Sequence, residues 1–173
     1  CKGGKGGKGG AGGTGGTPDE CASHADCFEL YSEDSSVNPR ACVEGTCVPL
    51  LSPDCPVVLP LEDNNHWDLL LSSDAIILGA FAPLNNDIPD TNTRVYTLAV
   101  KEPSDQVHGV FAGTNQRHEI VMVVCQDLFE NANDILVPAK HLVEDLGVKG
   151  HLGTLLAADQ QIVWEQVAQP NDV

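Results

Sequence analysis

Hydrophobic positions along the chain fall into two regimes, and the change comes near residue 74. Residues 74–82, Asp-Ala-Ile-Ile-Leu-Gly-Ala-Phe-Ala, form an almost continuous apolar run closed by Pro83. Such a run predicts a strand buried on both faces. A short helix is predicted around residues 93–100, with Val95, Leu98 and Ala99 at i, i+3 and i+4. A turn-rich linker containing Gly109 and Gly113 leads to a second buried strand over residues 119–125. Ile135, Ala139, Leu142, Val143 and Leu146 then make a helical stripe. Asp134 is its expected N-cap, Pro138 falls in the tolerant first turn, and Gly147 ends it. A weak third strand over residues 148–152 reaches Gly153. A last helix over residues 159–168 is expected to bury Ile162, Val163 and Val167 and to stop at Pro170. The order β-α-β-α-β-α predicts parallel units with right-handed crossovers. The expected fold is α/β, a partial parallel three-layer Rossmann-like lobe. In such sheets a ligand crevice lies beyond the carboxyl ends of the strands, here residues 83–87, 126–131 and 154–159.

Before residue 74 the apolar pattern gives way to cysteine. Cys21, Cys27, Cys42, Cys47 and Cys55 lie in a stretch poor in large apolar residues, with turn signals at Asn38-Pro39, Glu44-Gly45 and Ser52-Pro53. A segment that cannot bury enough apolar surface is stapled by disulfides in an oxidising compartment. Zinc is the competing reading, but only Cys42 and Cys47 approach ligand spacing, and His24 stands alone. Cys125 lies far downstream. If Cys1 is acylated, six cysteines remain, and they pair fully only when one of the five reaches Cys125. Six cysteines allow 15 connectivities. Cys55, at the end of the segment, is the expected partner of Cys125, which would pin residues 19–73, a disulfide module with its connector, to the lobe at 74–173.

Residues 1–18 contain little but Gly, Lys and Thr. Glycine buries no apolar area and loses the most backbone freedom on ordering, so a disordered tether is expected, reaching about 20–25 Å. A sequence that opens at Cys1 with a Gly-rich stretch resembles a mature bacterial lipoprotein, which implies lipidation of Cys1 and anchorage to a membrane of the cell envelope. The whole chain carries −16; beyond Thr17 six basic residues face 25 acidic ones, a charge of −19. That excludes a phosphate-binding body, so nucleic acid is not an expected partner.

Ile77-Leu78-Gly79-Ala80-Phe81-Ala82-Pro83-Leu84 resembles the opening "IGxxxPL" strand and turn of type I periplasmic binding proteins, the branched-chain amino-acid-binding group of ABC transport systems. Val123-Val124-Cys125-Gln126-Asp127 and the helix from Pro138 to Val143 are similar to that family's second strand and helix. Gly153-Thr154-Leu155-Leu156 resembles its "GxxxS" loop. The likeness covers residues 74–173, the first part of a two-lobed family, so a second lobe is expected downstream of Val173. The resemblance implies a solute-binding lipoprotein that performs no chemistry and needs no cofactor. It captures a small molecule such as an amino acid for an ABC permease or a sensor, closing by a hinge. Ligand-binding positions carried over are Asn85, Asn86, Leu156, Ala157 and Ala158. At both places the chain departs from the family, with Asn85-Asn86 where a Ser/Thr-Gly type turn is usual and no carboxylate-binding Ser near Ala157. Backbone N–H groups at the start of the last helix would still attract an anion. A surface interaction or structural protein with a degenerate binding-protein fold is the alternative.

Other chemistry finds no pattern. Six histidines, His24, His66, His108, His118, His141 and His151, show no metal-ligand spacing, and His141 is expected on the solvent side of its helix. Asp63 with Asp68, and Glu130 with Asp134, lack a calcium-loop frame. No nucleophile elbow, P-loop or dinucleotide fingerprint is present, so no catalytic set is expected. Trp67 and Trp164 are expected to be packing residues.

Overall fold

A computed structural model describes residues 20–31, 38–60, 75–84, 89–107, 109–111, 117–127, 134–153 and 156–173. The fold is mixed α/β with three disulfides, Cys21–Cys42, Cys27–Cys47 and Cys55–Cys125. The expected bond from the module to Cys125 is therefore present.

The module opens with α1 (His24–Leu30), whose start is fixed by a reciprocal cap. The Ser23 hydroxyl accepts from the Asp26 N–H, while the Asp26 carboxylate accepts from the N–H groups of Ala22 and Ser23 at 2.7 and 2.8 Å. Those backbone donors hold the Asp26 carboxyl below the usual range. Strands β1 (Arg40–Val43) and β2 (Thr46–Pro49) form a hairpin around Glu44 and Gly45, both at positive φ, the geometry a two-residue turn needs. Cys42 faces Cys47 across the hairpin, and each is bonded back to the α1 region.

The main sheet has the order β3 (Val57–Leu59), β7 (Ile120–Gln126), β4 (Ile76–Ala82), β8 (His151–Leu152). β4 runs parallel to β7 and to β8, as the β-α-β order predicts. β3 adds an antiparallel edge on β7, so the sheet is mixed. Residues 57–59 had no strand reading, since three apolar residues beside Pro56 and Pro60 carry too little pattern. A second hairpin, β5 (Val110–Phe111) with β6 (Arg117–His118), occupies part of the expected linker.

Both faces of the sheet are covered. Leu59, Ala80, Ala82, Ile120, Met122 and Val124 meet Val100 of α2 (Pro89–Val107) on one side. Phe81, Val121, Val123 and Cys125 meet Ile135, Ala139, Leu142, Val163 and Val167 on the other, together with Cys27, Ala41, Cys47 and Leu50 of the module. Strict alternation along β7 thus divides one apolar run between two cores.

Several helical expectations change. α2 is longer than residues 93–100 and continues through Pro103 to Val107. Its inward face carries Tyr96 and Val100; Val95 and Leu98 are 58% and 64% exposed. The Tyr96 hydroxyl donates to the Phe81 carbonyl at 3.3 Å, which sets that phase. Asp134 is exposed and does not cap α3 (Leu136–Lys140), whose N-cap is Ile135 without a side-chain bond. α3 passes into a π-helical turn, His141–Asp145, and ends as expected at Gly147, φ +65°. α4 (Ala157–Val163) begins two residues early, and continues as a π-helical turn, Trp164–Ala168. Pro170 lies inside a closing 3-10 turn, Gln169–Asn171. β8 keeps only two residues of the strand expected over 148–152.

Close approach of the π-helical turn after α3 to β4 depends on Gly79. A methyl group there would lie 2.7 Å from Leu142 Cδ1 and 3.2 Å from His151 Cβ.

Candidate ligand-binding edge of the sheet

The carboxyl ends of β4, β7 and β8 lie at one end of the sheet because the strands are parallel. Past the strands, the Asp127 N–H donates to the Ala82 carbonyl at 2.9 Å, which extends the β4–β7 pairing by one residue. The Gln126 N–H donates to the Asp54 carbonyl at 2.7 Å. One wall of the expected crevice is therefore tied to the module, next to the Cys55–Cys125 bond.

Two carboxylates are buried at this end. Asp127, directly after β7, is 3% exposed, and Asp159, in the first turn of α4, is 6% exposed. An acidic group in a first turn interacts favourably with the partial positive charge of the helix start. Neither was singled out as a ligand residue in the sequence. Position was the available signal, since Asp127 ends an apolar strand run and Asp159 opens a helical one.

Of the carried-over ligand positions, Asn85 and Asn86 lie outside the described residues. Leu156, Ala157 and Ala158 are exposed where β8 gives way to α4. Leu156 occupies the N-cap in an extended conformation and supplies no side-chain bond. Apolar side chains here leave polar contact to the backbone. With Asp159 already at the helix start, a bound anion would face a like charge. Cys1, the lipidation position, also lies outside the described residues.

The sulfurs of Cys21, Cys27 and Cys42 lie within 4.8 Å of one another, close enough for one metal ion. All three are consumed in disulfides, and a disulfide sulfur offers no thiolate to zinc. His24 Nδ1 accepts from the Cys42 N–H at 2.9 Å, so this histidine supports the hairpin.

Two surface expectations are corrected. His141 is not on the solvent side; its side chain is 11% exposed, against Leu50 of the module. Module packing covers that helix face, and no pattern within residues 135–146 could report it. Trp164 is not a packing residue, at 50% exposed, because Val163 and Val167 take the inward positions of its turn. Trp67 lies outside the described residues.

Among the described residues, no helix is long and apolar enough to cross a membrane. No family model, no curated protein and no solved structure matches this chain.

Proposed function

We propose that the chain is part of an extracytoplasmic solute-binding lipoprotein, carried on a lipid at Cys1 and its Gly-rich tether in a bacterial cell envelope. The observation that carries the reading is the parallel arrangement of β4, β7 and β8, whose carboxyl ends bring Pro83, Asp127 and Leu156–Asp159 to one end of the sheet. Three disulfides support an oxidising compartment. The helices on both faces of the sheet are in keeping with a partial three-layer Rossmann-like lobe of the type I periplasmic-binding kind. The ligand is a small molecule such as an amino acid, delivered to an ABC permease or a sensor. Buried Asp127 and Asp159 favour contact with its amino group over its carboxylate.

The second reading, a surface interaction protein on a degenerate binding-protein fold, draws on exposed Leu152, Leu156 and Trp164 and on the missing Ser near Ala157. A thermal-shift screen of the full-length natural protein against free amino acids and their decarboxylated amines separates the two. A ligand at 100-fold excess over Kd stabilises by about 2.7 kcal/mol. Stabilisation by one compound, weakened in Asp127→Asn, is the expected result. No shift from any compound favours the second reading.

A further inference from the structure

The two edges of the main sheet are built differently. β3, at one edge, has Pro56 directly before it and Pro60 directly after it. Proline has no N–H to give a ladder, so it closes an edge to further strands. β8, at the other edge, is bounded by Gly150 and Gly153. Glycine beside a strand admits the close approach of a second backbone. The β8 backbone also faces outward. The Gly79 N–H donates to the Gly150 carbonyl at 3.1 Å. Alternate residues of a parallel ladder turn to opposite sides, so Gly150 and Leu152 face β4. The N–H and carbonyl of His151 then face away from the sheet, and among the described residues no strand lies beyond them.

Apolar surface flanks this edge. Leu78 packs with the α2 core, and Leu152, in register with Ala80, shares that face and is exposed. These two leucines, with Gly79, Gly150 and His151, line a hollow of about 250 Å³. On the other face α4 sets Leu156, Gln160 and Trp164 in one stripe at i, i+4 and i+8. The Gln160 amide lies 3.5 Å from the His151 ring, which places the stripe beside β8, and Leu156 and Trp164 are exposed. A strand laid along β8 turns alternate side chains to the hollow and to the Trp164 stripe. The hollow suits an apolar side chain. Trp164, followed by exposed Glu165, suits a Lys or Arg, whose stem can lie on Leu156. Charge selects the same partner. Beyond Thr17 the chain carries −19, so a second copy meets like charge and a basic segment is attracted.

We propose that the β8 edge binds an extended segment of another polypeptide by strand addition, with apolar side chains at alternate positions and Lys or Arg between them. His151 supplies the backbone pair, the hollow takes the apolar side chains, and Trp164 receives the basic ones. Because β8 has only two residues, side-chain contacts supply most of the affinity. Such a partner rests on the surface-interaction reading above and requires no solute at the carboxyl ends of the strands.

The test uses the whole chain with disulfides intact. The probe is an octapeptide of alternating Lys and Val, blocked at both ends. Two comparison peptides carry Glu in place of Lys, or a methyl group on every backbone nitrogen. Isothermal titration reads affinity, and NMR amide exchange reads the His151 N–H. The Lys–Val peptide is expected to bind and to slow His151 exchange roughly tenfold or more. The Glu–Val peptide should bind roughly tenfold more weakly, since like charge opposes it. The methylated peptide should not bind, having no N–H to pair. His151→Pro removes the outward N–H and leaves the Gly150 carbonyl to β4, so it should abolish binding. If that variant does not fold, Leu152→Glu carries the test at an exposed position with the same expected loss. Equal binding of the methylated peptide overturns strand addition while the surface-interaction reading stands. A dimer in sedimentation equilibrium that Leu152→Glu disperses overturns the separate partner in favour of a second copy. Silence from all three peptides overturns the strand site, and the thermal-shift screen above then decides between the two readings on its own.

Discussion

Around α1 and the β1–β2 hairpin, two disulfides span 21 and 20 residues, and few large apolar side chains are buried besides Leu50. In β7, by contrast, six of seven residues are buried without any covalent help except at Cys125. The first region substitutes cross-links for a core; the second is nearly all core. Yet Cys27, Ala41, Cys47 and Leu50 belong to the same apolar cluster as Phe81, Val123 and Leu142. The module is therefore built as a cap over one face of the sheet, and its stability depends on the surface it covers.

The largest expected effect separates a cap from an independent unit. The Cys55–Cys125 bond closes a span of 70 residues. Replacing both cysteines by Ala should cost about 4 kcal/mol in urea unfolding, against about 3 kcal/mol for the Cys21–Cys42 pair with its shorter span. Because the apolar cluster is shared, both variants should still unfold in one transition, seen alike by Trp fluorescence and far-UV circular dichroism. A separate early transition confined to the module would break the comparison.

A middle-sized effect probes the packed side. Gly79→Ala adds a methyl where Leu142 Cδ1 and His151 Cβ already stand at 2.7 and 3.2 Å. Overpacking of this kind costs about 1–3 kcal/mol, with the disulfides untouched. A neutral Gly79→Ala in the same assay would mean that Leu142 yields freely, and that the sheet face is less tightly filled than the comparison holds.

How much of this was legible in the sequence follows the same division. β4 and β7 were readable because long apolar runs need no partner to be recognised. The α3 stripe and its stop at Gly147 were readable because periodicity and a glycine C-cap are local signals. α2 was found with the wrong face inward, since Val95, Leu98 and Ala99 have helical spacing, but Tyr96 reaches the Phe81 carbonyl and Val100 the sheet. β3 owes its existence to pairing with β7, which a three-residue segment does not announce, whereas β8 keeps only two residues of the strand expected over 148–152. At the candidate site, the shared carboxyl end of β4, β7 and β8 was legible from strand order. Buried Asp127 and Asp159 were not, because an acidic residue after a strand or early in a helix reads first as a solvated terminus. His141 was misjudged for the same reason, its burial being imposed by Leu50, which lies 91 residues earlier.

The smallest effect probes the β8 edge of the sheet. His151, on β8, is half-buried, packs edge-on against Phe81 at 5.6 Å, and lies 3.5 Å from the Gln160 amide. Burial holds its pKa below the ordinary histidine value of 6.5. The unfolded chain therefore takes up that proton first as pH falls. The contribution from neutral His151 is full above pH 6.5 and is lost as pH drops toward the lowered folded value. His151→Gln should remove that slope. Urea midpoints between about pH 5 and 8 read the sign, and a wild-type-minus-His151→Gln difference that does not change with pH would remove His151 from the account.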